Sequence, residues 1–91
     1  MKKFTSEELS DLRSIFSCFN IKYYELKFDN SFIQFITQDF CLSVVKVNNL
    51  YEIIFTPRTH LNVKSSIESL CTFSNVKYYI CDLFESLLSQ L

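Results

Sequence analysis

Three short polar pairs, Asp29-Asn30, Gln38-Asp39 and Asn48-Asn49, punctuate an otherwise apolar stretch over residues 21–56. The pieces between them are rich in Tyr, Phe, Ile and Val, which suit a pleated, half-buried surface. Asn and Asp tolerate positive φ better than other side chains. Each pair therefore serves as a two-residue hairpin turn although the chain has no glycine. Two-residue turns set Leu26 opposite Ile33, Phe35 opposite Leu42, and Val44 opposite Ile53. Opposed residues share a face of the sheet, so the three registers test one another. They agree on one apolar face: Tyr24, Leu26 and Phe28, then Ile33 and Phe35, then Leu42 and Val44, then Tyr51, Ile53 and Phe55. Its polar members, Ser31, Thr37 and Lys46, fall near strand ends.

The reverse face carries Glu25, Lys27, Gln34, Ser43 and Glu52, as a solvated face should. It also carries Tyr23, Phe32, Ile36, Val45, Val47, Leu50 and Ile54. A face that is half apolar is either covered by the chain's own elements or is a docking surface.

Helices flank the strands. Thr5-Ser6-Glu7-Glu8 has the capping-box pattern, with Phe4 and Leu9 placed as a hydrophobic staple. Leu9, Leu12, Phe16 and Phe19 follow at helical spacing, so a helix is expected over about 6–19, stopped by Asn20 in the left-handed region. After Pro57 and a connection over 57–61, Asn62 caps an expected helix through about 73, with Val63, Ile67 and Leu70 on one side. Val76, Ile80, Leu83, Phe84, Leu87, Leu88 and Leu91 then fit one long helical stripe over 76–91. The echo of Asn20-Ile21-Lys22-Tyr23-Tyr24 in Asn75-Val76-Lys77-Tyr78-Tyr79 instead suggests a strand over 76–81. The helical period, longer and unbroken, outweighs it. The expected fold is a two-layer α+β domain: helix, four-stranded antiparallel meander, helix, helix.

Composition narrows the chemistry. Without glycine there is no phosphate-cradling loop, dinucleotide fingerprint or nucleophile elbow of the usual kind. Nine basic and ten acidic residues leave a net charge of −1, which directs no strong field at nucleic acid or an anionic membrane. No apolar run is long enough to span a membrane. Cys18, Cys41, Cys71 and Cys81 form no Cys-x-x-Cys pair, and His60 is the one histidine. Zinc-ligand spacing is therefore missing, and the cysteines read as reduced, small core residues of an intracellular protein. His60 lies in a connection beside Arg58 and Thr59, with no partner to make it a general base. Glu7, Glu8 and Asp11 suit the positive end of the first helix rather than a paired-acid site. Lys22-Tyr23-Tyr24 and Lys77-Tyr78-Tyr79 would suit base stacking, but the balanced charge argues against nucleic acid.

The order of elements resembles the RWD domain, a noncatalytic relative of ubiquitin-conjugating folds. Phe19-Asn20-Ile21 leading to Leu26-x-Phe28, then Phe40-x-Leu42-x-Val44, Tyr51-Glu52-Ile53 and Pro57, resembles the globular head of Spc-type kinetochore subunits. Phe73-Ser74-Asn75 before the last helix fits the same ending. There is no His-Pro-Asn before a cysteine, as ubiquitin conjugation would need, and no Tyr-Pro-x-x-x-Pro motif. The resemblance implies an adaptor that pairs with a similar head, as homo- or heterodimer, and docks receptor proteins in chromosome segregation. It places the chain in the nucleus, at the kinetochore; without it, the cytoplasm is expected. Residues 1–91 then form a single interaction domain at the end of a longer coiled-coil protein, with Leu9, Leu12, Phe16 and Phe19 as the end of the seam. The same stripe equally suits packing on the domain's own sheet. The candidate partner contacts are those four residues with Tyr23, Phe32, Ile36, Val45, Val47 and Ile54. No cofactor, metal or small-molecule substrate is expected. The alternative is a small phage or mobile-element inhibitor that masks a host enzyme.

Overall fold

The computed structural model describes residues 3–58 and 65–89. The chain runs α1 (Ser6–Cys18), β1 (Tyr24–Asp29), β2 (Phe32–Ile36), β3 (Phe40–Val47), β4 (Leu50–Pro57), β5 (Ser66–Cys71) and α2 (Phe73–Leu88). The strands form one antiparallel sheet in chain order, β1-β2-β3-β4-β5. Both helices lie on one face of it, so the architecture is α+β in two layers.

Local chemistry explains most of the boundaries. The Thr5 hydroxyl accepts from the Glu8 amide at 3.0 Å, and the Glu8 carboxylate accepts from the Thr5 amide at 2.8 Å, closing the capping box of α1. Asn20, at φ 55°, turns the chain out of the helix. Asn48, at φ 58°, makes the β3–β4 turn, which keeps Val44 opposite Ile53. Thr37 closes the β2–β3 turn: its hydroxyl accepts from the amides of Asp39 and Phe40 and donates to the Phe40 carbonyl. Phe35 accordingly lies opposite Leu42. The α2 stripe is helical through 76–81, so the strand suggested by the sequence echo does not form. Thr72 caps this helix, accepting from the Asn75 amide.

Two expectations are corrected. The first turn lies at Asn30-Ser31, one residue late, because the Asp29 carboxylate accepts from the Ser31 amide at 2.6 Å and its hydroxyl at 2.7 Å. This side-chain clamp competes with a turn at Asp29-Asn30. The later turn alone would set Leu26 opposite Phe35 on the same face; a bulge between Lys27 and Asp29 inserts one residue more, and Leu26 pairs with Gln34. Every side chain of β1 changes face. Tyr24, Leu26 and Phe28 leave the core and are 58%, 43% and 62% exposed. Glu25 and Lys27 move to the helix side, opposite Phe35 and Ile33.

The second correction concerns 66–71, which is a fifth strand instead of part of a helix. The edge of β4 offers a full row of backbone donors and acceptors, whereas Ser65, Ser66 and Ser69 favour a helix weakly. Ile67 pairs with Ile54 and Glu68 with Ile53. The expected cap Asn62, with Val63, Thr59, His60, Leu61 and Leu91, lies outside the described residues.

The core lies between the layers. Phe16 of α1 packs 4.8 Å from Phe35 of β2 and 4.9 Å from Phe84 of α2, and Phe84 reaches Phe40 of β3 at 5.6 Å. Leu12, Phe16, Leu42, Ile53, Phe55 and Ile80 are fully buried. Burying each large apolar side chain contributes about 1.5–3 kcal/mol. Ion pairs tie α1 down at both ends of the layer: Arg13 holds the Glu25 carboxylate with two bonds of 2.5 and 3.0 Å, and Glu8 meets Lys46 at 2.8 Å.

Candidate functional site

The helices cover one face of the sheet and leave the other without a layer among the described residues. On that open face β1 places Tyr24, Leu26 and Phe28, and β2 places Phe32, Gln34 and Ile36. β3 adds Val45 and Val47, β4 adds Leu50 and Ile54, and β5 adds Ile67 opposite Ile54. Phe28 and Phe32 pack ring to ring at 4.8 Å, and the Gln34 amide donates to the Ser43 hydroxyl at 3.1 Å near the middle. Within the described strands, the charged residues registered on this face are Glu52 and, at the turn end of β1 opposite Phe32, Asp29. Strand spacing and rise give five strands of this length a projected area of roughly 450 Å². That is the area of the whole face, Gln34, Ser43, Glu52 and Thr56 included, and the apolar residues make up the larger part of it.

The expected contact residues divide between the two layers. Leu12 and Phe16 are fully buried, and Leu9 and Phe19 pack against the core. The α1 stripe thus faces its own sheet, and the reading of these four as a coiled-coil seam open to a partner is corrected. Tyr23 also belongs inside, 4.6 Å from the Phe16 ring and 5.6 Å from Phe35. Phe32, Val45 and Ile54 are half-buried on the open face, Val47 is exposed, and Ile36 is nearly covered by its neighbours. Sequence reasoning missed Tyr24, Leu26 and Phe28, which it placed in the core, and Ile67, which it placed on a helix. Asp29-x-Ser31, a carboxylate two residues before a serine, signalled the later turn, but no local pattern marked the bulge that turned the first three outward. Nothing local marked Ile67 as a strand residue.

Other sites offer less. A cleft of about 240 Å³ opens where the ends of α1 and α2 meet the β2–β3 turn, lined by Phe19, Ile21, Lys22, Asp39, Phe40 and Leu87. It is smaller than the roughly 300 Å³ at which ligand pockets usually begin. No group of three or more His, Cys, Asp or Glu side chains among the described residues could hold a metal ion. All four cysteines are unbridged. Burial, then Glu68, pushes the Cys71 thiol above its ordinary range; burial, then Glu85 and Asp82, does the same to Cys81. Both are poor thiolate nucleophiles in consequence. The two Lys-Tyr-Tyr runs do not form one platform. Tyr23 lies in the core, Tyr24 on the open face and Tyr78 on the helix layer, and Tyr79 is hydrogen-bonded to Ser66. Among the described residues no helix is long and apolar enough to cross a membrane.

Charges are concentrated on the other layer. The two bonds from Arg13 hold the Glu25 carboxyl below its usual range against the opposing effect of burial. Burial raises Glu8, but bonds from Lys46 and Thr5 together outweigh it and leave the carboxyl lowered. The covered layer is thus pinned by ion pairs while the open face is almost uncharged. This arrangement can bind an apolar surface. No protein-family model, no curated protein and no solved structure matches this chain.

Proposed function

We propose that the chain is a noncatalytic protein-interaction module that docks a partner through the open face of its sheet. The observation that carries this reading is the apolar face itself, which no described element covers, running from Phe28 to Ile67 with Glu52 within it and Asp29 at its turn end. Aromatic anchors such as Phe28 and Phe32 are the kind of residue that dominates binding energy. The partner that fits is a protein domain with an apolar surface and a cationic group to meet Glu52. Its specific form is an adaptor head like that of the Spc-type kinetochore subunits, joining a similar head in chromosome segregation. Hydrophobic spacing in β2, β3, β4 and α2 supports that form, and the fifth strand departs from it.

Photo-crosslinking in cells that carry the gene tests the module. A photoreactive phenylalanine replaces Phe28 or Ile67, 62% and 65% exposed on the open face, or Tyr78, 74% exposed on the helix layer. The expected result is one discrete adduct, identified by mass, from both face positions and none from Tyr78. Adducts from Tyr78 alone, or none from the face, refute the reading.

A further inference from the structure

β1 stands at the end of the strand order, and no described residue pairs with its outer side. The hydrogen-bond phase of the sheet shows which of its backbone groups point there. The Thr37 amide donates to the Phe40 carbonyl at 2.9 Å, and the Lys46 amide donates to the Ser31 carbonyl at 2.8 Å. In an antiparallel ladder these bonds alternate, so the odd residues of β2 turn their backbone groups toward β3 and the even ones toward β1. Ile36 and Gln34 lie opposite Tyr24 and Leu26, which therefore turn inward to β2. Glu25 and Lys27 present their N–H and C=O groups to the open edge.

If two copies meet here about a two-fold axis, outward residues must oppose outward residues. That leaves three registers before the bulge: Glu25 against Glu25, Lys27 against Lys27, or Glu25 against Lys27 with Leu26 on the axis. The first two place like charges face to face, which destabilises a strand pair. The third opposes unlike charges twice, on the helix side of the sheet. It also sets Tyr24 of one copy against Phe28 of the other on the open face. The run Tyr24-Glu25-Leu26-Lys27-Phe28 has the same chemistry read in either direction: aromatic, acid, leucine, base, aromatic. Arg13 already holds Glu25 in position at 2.5 Å, so the carboxylate need not be ordered on association.

We propose that two copies of this chain pair antiparallel along β1, in the register centred on Leu26, to form a continuous ten-stranded sheet. The two open faces then join into one apolar platform, and Leu26, 43% exposed in the single chain, becomes covered. The bulge after Lys27 ends the ladder, so the interface is short and the dimer exchanges readily. This proposal concerns the strand edge and does not rest on the reading of the open face.

Sedimentation equilibrium at low salt tests it with a charge exchange. Lys27→Glu alone opposes two acids twice, and Glu25→Lys alone opposes two bases. Each is expected to weaken self-association by about tenfold or more. Mixing the two variants restores the acid–base opposition and with it a mixed dimer of wild-type strength. Because Glu25→Lys also faces Arg13, circular dichroism confirms that it folds. If it does not fold, Lys27→Glu is measured alone, and high salt is expected to relieve its defect. A wild-type chain that stays monomeric at millimolar concentration overturns the proposal, as does a dimer indifferent to Lys27→Glu. Crosslinking from Ile67, at the opposite edge, reports the open face separately. Its adduct with a foreign partner persisting in the Lys27→Glu chain separates failure of the edge from failure of the face.

Discussion

Lys46 is the most exposed to test of the charges in the covered layer, because it is buried at the end of β3 against α1. Its side chain is 8% exposed; its ammonium donates to the Glu8 carboxylate at 2.8 Å and to the Lys3 carbonyl at 3.1 Å. It also stands 5.5 Å from the centre of the Tyr51 ring. Lys46→Met keeps the length and apolar volume of the stem and removes the charge with both bonds. Hydrogen bonds to charged groups contribute about 1.5–3 kcal/mol each. Against that loss, the cost of keeping an ammonium out of water disappears. The Glu8 side chain, 14% exposed, also regains some hydration and keeps its bond from Thr5. The net expectation is a destabilisation of about 2 kcal/mol at neutral pH, which lowers the melting temperature by roughly 10 °C in a domain of this size.

The pH dependence separates the ion pair from mere packing. Glu8 has a lowered pKa in the folded chain, so its contribution is fully present above the pKa of an unfolded glutamate. It is lost as pH falls through the folded value. The gap between wild type and Lys46→Met should therefore narrow progressively below about pH 4.5. Glu8→Gln preserves the capping box and removes the carboxylate charge, so a double-mutant cycle isolates the pair, with a coupling of about 1–2 kcal/mol. Urea unfolding followed by circular dichroism at neutral and acid pH gives all four stabilities. A Lys46→Met chain within about 0.5 kcal/mol of wild type, or a gap that ignores pH, refutes the reasoning.

The remaining expectations contrast the two layers. Phe16→Ala should cost about 3–5 kcal/mol by urea denaturation, because it opens a cavity between Phe35 and Phe84. Ile67→Ser, on the open face, should change stability by less than about 0.5 kcal/mol in the same assay. Asn48→Ala should lower thermal stability by about 1 kcal/mol because its φ of 58° is left-handed, and Asn48→Gly should not.

Where chemistry was local, the sequence could be read directly. Thr5 and Glu8 close a box within one turn of chain, Asn48-Asn49 makes its own reversal, and the α2 stripe repeats long enough to overrule a short echo. The β2–β3 and β3–β4 registers followed from turn length and alternation. β1 did not, because the Asp29 carboxylate bonds to Ser31 moved the turn by one residue and a bulge after Lys27 then inserted one residue more, and it is that odd residue that exchanges the faces. The candidate surface was half legible for the same reason: Phe32, Val45 and Ile54 lie on strands whose register held, while Tyr24, Leu26 and Phe28 changed sides with β1.

By itself the sequence determined the cap of α1, the Asn48-Asn49 turn and the helical stripes of α1 and α2, since these depend on neighbours a few bonds away. Tertiary structure decided three things: that 66–71 is a strand, that the α1 stripe is internal, and that no described element covers the second face of the sheet. Each depends on what distant surface is available, namely the edge of β4, the ring cluster around Phe84, and a layer in which both helices settle on the same side.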